Sequence, residues 1–418
     1  MPSSGHLQDL LIVGGGLSGA LLSSLLPAAL AGRTQLWEKS TNCGRLTSST
    51  ARGAAAGAVS DLGAQYFTAF DAASGAALAS AQAAGVLQRL PPGAIVGERE
   101  PTASLPSYFA PGGNSRLAEH YLAAAAGRGL AVHRGRRLAS LEAGLRPGAA
   151  AGSAASWRAL DTSGAEAWFA AVVLTLPAPQ VLELGGAALA RALEGSCGGG
   201  EATLRSALGS TTYSSRFACT LHFARGSLPR FASLPWYGRY VTPAQAGGDV
   251  LRYIAFETRK QGAGAGAEGE ACCPTFTLHS SVELGAAHPA GTPEVQALLH
   301  RAALAALTES MGEKEGSSAL PLPEVLEGGR MHRWKFSQVL PPVAGAGGAF
   351  PAPAVLAPAA SHGEGGVLPP LVLAGDGVAG RSNFASCLAS AAEALELLTR
   401  LEPQGTPAQP PAGASLEA

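Results

Sequence analysis

The feature that most narrows the fold is a run of glycines near the start of the chain. Residues 9–13 form a short apolar run that ends at Gly14-Gly15-Gly16-Leu17-Ser18-Gly19. The spacing is G-x-G-x-x-G. It follows a predicted strand and opens a predicted helix over residues 17–30, and a second strand is predicted over residues 34–38. Strand, glycines, helix and strand together predict a β-α-β unit that holds a dinucleotide. Gly14 permits the tight turn, Gly16 lets backbone N–H groups approach a pyrophosphate, and Gly19 allows close helix–strand packing. The helix N-terminus offers its positive dipole end to phosphate. Glu38 closes the second strand, 19 residues beyond Gly19, a distance that suits a ribose hydroxyl pair. The fingerprint leaves NAD and FAD open.

Composition then removes whole classes of function. The 418 residues are enough for two domain-sized units and a large core. Hydrophobic residues make up 47%, charged residues 14%, and the formal net charge is -1, which argues against a nucleic-acid partner. Residues 10–32 carry no charge, but the glycines and Pro27 interrupt them, so a membrane span is not expected. No Lys or Arg precedes that stretch, so the basic region of a signal peptide is missing. A cytoplasmic protein is the expectation. Cys43, Cys197, Cys219, Cys272, Cys273 and Cys387 form no C-x-x-C pair, and no His cluster has metal-ligand spacing. Free thiols and no metal are therefore expected.

Along the chain, residues 72–85 and 115–127 read as helices and 130–138 as a strand. Residues 157–160 and 168–176 read as two strands of a meander, and 181–208 as helical stretches broken at 195–200. After Tyr213 come short β-branched and aromatic runs with partial period-2 alternation, which predict an antiparallel sheet. Residues 295–311 read as an amphipathic helix, 330–339 as a strand, 371–374 as a buried strand and 384–400 as a last helix. The fold class is α/β, with an α+β second unit. Residues 143–155, 195–200, 262–270 and 345–366 read as linkers or insertions, and residues 401–418 as a disordered tail.

Several stretches stand in this order over residues 11–391: "LIVGGGLSGALL", "LWEKSTNCGRLTSS", "DLGAQYF", "VVLTLPAPQVL", "TYSSRFACTLHF", "PWYGRYVT", "HRWKFSQV" and "LVLAGDGVAGRSNFASCLASA". In this the chain resembles the renalase family of the flavin amine oxidase superfamily. Cys43-Gly44-Arg45 stands where the superfamily usually has Gly-Gly-Arg. The resemblance implies non-covalent FAD on a two-domain fold like that of p-hydroxybenzoate hydroxylase. A Rossmann-like FAD-binding unit would take residues 1–70, 105–178 and 367–400. A mixed or antiparallel-sheet substrate unit would take residues 71–104 and 179–366. By the same resemblance Ser18, Arg45, Gln65 and Tyr66 contact FAD, Arg45 pairing with phosphate oxygens, and Leu138 lies at the adenine. Gly375, Asp376, Asn383 and Phe384 follow the ribityl chain and the flavin edge.

The activity implied is oxidation of isomeric dihydronicotinamide dinucleotides, 2- and/or 6-dihydroNAD(P), to NAD(P)⁺, with molecular oxygen as acceptor and hydrogen peroxide as product. Hydride transfer of this kind needs orientation rather than an acid or base, so the lack of an evident catalytic dyad is consistent with it. Substrate candidates on strand-like segments of the second unit are Arg216, Arg239, Tyr240, Arg252, His332, Trp334 and Lys335. Two other readings stand beside this one. The first is an amine oxidase, in which Lys335 would take the place of the lysine near the flavin. Gly375-Asp376-Gly377 differs from the Ala-Gly-Glu usual in those enzymes. The second is a non-catalytic flavoprotein that signals by binding a partner.

Overall fold

In the computed structural model the described residues are 9–97, 104–150, 153–197, 202–245, 248–262, 273–311, 322–326, 329–341, 350–357, 361–362 and 366–401. Cys272 and the expected tail beyond Leu401 lie outside them. The α/β class holds.

A six-stranded sheet organises the first unit. Its order is Val355–Leu356, Leu371–Leu373, Ala171–Leu174, Leu10–Val13, Thr34–Glu38 and Ala131–Arg134. All neighbours are parallel except the edge strand Val355–Leu356. Both faces of such a sheet must be covered, and the strand pleat delivers one side chain to each in turn. Leu10 and Ile12 join a core containing Leu36 and Leu122, under helices Leu17–Leu25, Ser115–Ala126 and Phe384–Leu401. Leu11 and Val13 join a second core with Trp37, Leu174, Leu189 and Leu204.

The helix read over 17–30 stops at Leu25. Leu26 has left the α region (ψ 136°) and Pro27 follows, because a residue before proline is driven out of that region. The strand read over 168–176 is two strands. Glu166–Phe169 belongs to a meander with Ser156–Asp161 and Leu138–Gly144, while Ala171–Leu174 belongs to the main sheet.

The second unit is another six-stranded sheet, ordered Met331–Trp334, Arg216–His222, Thr275–Ser280, Leu251–Phe256, Gly238–Tyr240 and Ile95–Val96. Phe217, Leu221, Ile254, Phe256, Phe276 and Leu278 point into a core shared with helix Pro293–Ser310. Phe256 and Phe276 stack there, 4.5 Å between centroids. That helix starts with Thr292 as a side-chain cap and Pro293 in its first turn.

Three of the expected boundaries shift. Leu78, Ala81 and Leu87 pack in the first unit's core, so only Ile95–Val96 of the stretch 71–97 joins the second sheet. Helices Ala178–Leu182, Ala187–Leu193 and Leu204–Ser210 cover the first unit's sheet. Val355–Leu356 is that sheet's edge. In each case the apolar face of the segment finds its complement across the chain, which local pattern does not reveal. Among the described residues no helix is long and apolar enough to cross a membrane, and no His/Cys/Asp/Glu group could hold a metal.

Candidate dinucleotide site

The glycine loop follows Val13. Gly14 has φ 111°, and a Cβ there would come within 2.6 Å of Thr175 Oγ1. That hydroxyl donates to the carbonyls of Val13 and Gly14, at 2.9 and 3.2 Å, which ties the loop to the end of the neighbouring strand. A Cβ on Gly19 would collide with the Gly14 carbonyl oxygen, so the helix can approach only as glycine. Around Gly16 nothing lies within 4 Å of a Cβ position. Gly16 is the N-cap of helix Leu17–Leu25 and supplies no side-chain cap, and the first turn holds no acidic residue. The helix end therefore presents N–H groups and its positive dipole to an open face.

Glu38 turns back onto this loop. Its Oε2 accepts from the Gly15 N–H at 2.7 Å, and its Oε1 accepts from the Ser40 N–H and hydroxyl, both at 2.8 Å. Beside it a cavity of about 230 Å³ is lined by Gly14, Trp37, Glu38, Arg136, Leu138 and Thr162, among others. Arg136 lies over the Trp37 ring, 3.6 Å from its centroid, and pairs with Asp161 at 2.8 Å. Glu38 and Leu138, both expected from the sequence to face a dinucleotide, share this cavity. The sequence does not single out Arg136, which lies in the turn after Ala131–Arg134, far along the chain from the Trp37 ring it covers.

Arg45 meets Asp376 rather than standing alone. Nη1 and Nη2 donate to the two carboxylate oxygens at 2.5 and 2.6 Å, and Ser382 also donates to the carboxylate. Burial pushes the Asp376 carboxyl up, but Arg45 and Ser382 outweigh it and hold it below the usual carboxylate range. Gly375 has φ 108°, and its N–H is held by Ser390 Oγ at 2.7 Å. Tyr213 closes the back of this turn, where a Cβ on Gly377 would collide with its hydroxyl. Burial pushes the Tyr213 phenol up to about 12. Ser18 is buried, and burial pushes the Cys387 thiol up to about 11. Asn383 accepts from the Ser386 N–H at 2.8 Å and caps the last helix. The Phe384 ring is a core side chain, edge-on to Phe67 at 6.2 Å. The expectation that Phe384 follows the ligand's edge therefore does not extend to its ring.

The second sheet turns one face toward Gln65 and Tyr66. Its register sets Arg216 opposite Trp334, Ala218 opposite His332 and His279, and Tyr253 opposite His279 and Tyr240. Residues opposite one another share a face. Tyr66 and Tyr240 touch through their hydroxyls at 2.9 Å, Gln65 Nε2 is 3.3 Å from His279 Nε2, and Trp334 Nε1 donates to the Leu62 carbonyl at 2.6 Å. The Arg252 guanidinium lies 5.1 Å from the Tyr240 ring centroid. Burial, followed by the charges of Arg216 and Lys260, pushes His279 down to about 3, so its ring is neutral. Burial and Arg252 lower Arg216 from its ordinary range.

Two candidates fall elsewhere. Arg239 is opposite Ile254, a core residue, and binds Ser310 and Glu309 on helix Pro293–Ser310. The pleat puts it on the far face from Tyr240. Lys335 is exposed, beside the Phe336 ring at 5.2 Å. His279, Asp61, Glu257 and Lys260 also belong to the region, and the sequence does not single them out. Only the alternation of "TFTLHSS" carried a signal for His279.

Residues 12–80 match the family described as the NAD(P)-binding Rossmann-like domain. Renalase of Mus musculus is 27% identical over 245 residues, an alignment that spans 58% of this chain and 58% of that protein's own length. The chain is thus similar to renalase, and its residues 12–80 are similar to NAD(P)-binding Rossmann-like domains.

Proposed function

We propose that the chain binds FAD non-covalently and oxidises isomeric dihydronicotinamide dinucleotides, 2- and/or 6-dihydroNAD(P), to NAD(P)⁺, with oxygen reduced to hydrogen peroxide. The residues present fit FAD. The space beside Gly16 is open, the helix end is uncapped by any side chain, and the cavity of about 230 Å³ adjoins Glu38 and Leu138. Gly14–Gly16 and the helix end would hold the pyrophosphate, Glu38 the ribose, and Gln65 and Tyr66 the flavin half. When bound, FAD supplies a two-electron acceptor that oxygen can reoxidise.

The observation that carries the substrate reading is the face of the second sheet. It carries Arg216, Tyr240, Tyr253 and a neutral His279 on one face, with Arg252 beside the Tyr240 ring, and Tyr240, Tyr253 and His279 meet Tyr66 and Gln65. Guanidinium groups suit a pyrophosphate, and aromatic rings suit a planar base. Loss of hydride from a neutral dihydropyridine leaves a pyridinium and requires no protein base. The hydride, one solvent proton and oxygen together balance as hydrogen peroxide. The chain's part is to hold the two planar systems in line and to keep water out, which can lower a barrier by several kcal/mol.

An anaerobic titration of the FAD-loaded protein tests the reading. Fast bleaching of the flavin absorbance is expected with 2- or 6-dihydroNAD(P), and little with ordinary NAD(P)H or with amines. Rapid bleaching by an amine instead would make the chain an amine oxidase. No bleaching by any of these would favour a flavoprotein that acts by binding a partner.

A further inference from the structure

Three charged side chains meet where the two units touch. Lys260 Nζ is 2.9 Å from Asp61 Oδ2 and 3.0 Å from Glu257 Oε2. Asp61 and Glu257 are 0% exposed and Lys260 is 3% exposed. Asp61 is held further by the Ser48 hydroxyl at 2.6 Å and the Asn114 N–H at 2.7 Å. Glu257 Oε1 accepts from the Thr277 hydroxyl at 2.6 Å and from the Asp61 N–H at 3.0 Å. Burial pushes the Glu257 carboxyl up against the pull of Lys260, and the Asp61 charge pushes the same way.

An ion cluster this dry is poor value as plain stability, since well-packed apolar residues often do as well. Its geometry suggests another role. Lys260 Nζ also lies 3.5 Å from Gln65 Oε1, while Gln65 Nε2 donates to the carbonyls of Asp61 and Gly63. The lysine thus touches both ends of the segment that carries Gln65 and Tyr66. We infer that Lys260 is a positioning residue: clamped between Asp61 and Glu257, it fixes residues 61–66 opposite the arginine- and tyrosine-bearing sheet face. The inference rests on the reading of that face as the substrate side of an FAD site.

The test compares the wild-type chain with Lys260→Met, and with the Glu257→Gln/Lys260→Met double variant, which removes a carboxylate together with the ammonium in case the single variant does not fold. Amide hydrogen exchange is read without added cofactor, and FAD affinity by fluorescence quenching. Exchange at residues 61–66 is expected to speed up about tenfold while strand Leu10–Val13 stays unchanged. FAD affinity is expected to fall about tenfold, with Lys260→Arg staying within about threefold of wild type. Unchanged exchange at 61–66, or an equal rise throughout the protein, would overturn the inference. If the wild-type chain bound no FAD, the reading of the site would fail, and the exchange contrast would still decide the role of Lys260.

Discussion

Arg45 and Asp376 stand 331 positions apart and meet fork to fork, through hydrogen bonds of 2.5 and 2.6 Å. The pair joins the Gly-Arg step after the second strand to the Gly-Asp-Gly turn before the last helices. Two segments that the sequence presents as separate glycine-rich turns thus form one wall of the candidate site. The Asp376 side chain is 4% exposed and that of Arg45 30%, so the two members are unequal. Part of the Arg45 side chain reaches the surface, while Asp376 is buried.

That inequality predicts an ordered mutational cycle. Arg45→Ala strands a buried carboxylate and should cost about 3 kcal/mol, the lower end for a broken buried pair. Asp376→Ala should cost less. The double variant should cost clearly less than the sum of the two. Urea denaturation of all four proteins measures this, and strict additivity would mean the two residues do not stabilise one another.

Gly16 and Gly19 should behave in opposite ways. Gly16 has φ -71°, which any residue adopts, and open space at its Cβ position. Gly16→Ala should leave thermal stability within about 0.5 kcal/mol of wild type and weaken FAD binding. Gly19→Ala should lower stability by about 2 kcal/mol or more, because the clash is with backbone. Calorimetry and FAD titration of both variants distinguish a ligand-facing glycine from a packing one.

His279 sets a pH dependence. Its folded-state value is about 3, against 6.5 ordinarily. Between those values the unfolded chain binds more protons than the folded one. The contribution to stability is therefore full above pH 6.5 and is lost progressively as the pH falls toward 3. Asp376, held below its ordinary range, adds to the loss only below about pH 4. The imidazole NMR signals of His279 should still report a neutral ring at pH 5. His279→Gln should flatten the fall in stability between pH 6.5 and pH 5.

The arginines should separate by sheet face. Arg216→Ala or Arg252→Ala should raise KM for a dihydronicotinamide dinucleotide about tenfold, as expected for a lost charge-assisted contact, with kcat little changed. Arg239→Ala should leave KM alone and lower stability, since Arg239 binds Ser310 and Glu309. Steady-state kinetics together with thermal melts give both readouts.

The parts of the fold legible in the sequence are those fixed by near neighbours. Gly14, Gly19 and Glu38 lie within one β-α-β unit, and each has a local steric or polar reason for its identity. The resemblance to renalases singles out Arg45, Gln65, Tyr66 and Asp376, but nothing local in the sequence foretells that Arg45 and Asp376 bind each other. Lys260 and Asp61 were not legible, because their contact spans 199 positions and a lysine in "FETRK" reads as a solvated helix end. Arg239 misled for the reverse reason. Alternation told which residues share a face, but not which face would turn toward the first unit. The break at Ala170 was hidden because Glu166–Phe169 and Ala171–Leu174 are both apolar enough to read as one strand.

Ile95–Val96, which completes the second sheet beside Gly238–Tyr240, follows closely on Gln88–Arg89, which pairs with Ser107–Phe109 against the first unit. The two units are therefore not interchangeable cassettes. A chimera that took its second unit from a relative but kept residues 71–97 of its own would join two non-matching rungs at Gly238–Tyr240. Such a hybrid would present an unprotected strand edge, the usual starting point for self-association. Grafting new specificity onto this scaffold calls for moving the 88–97 stretch with the sheet it completes.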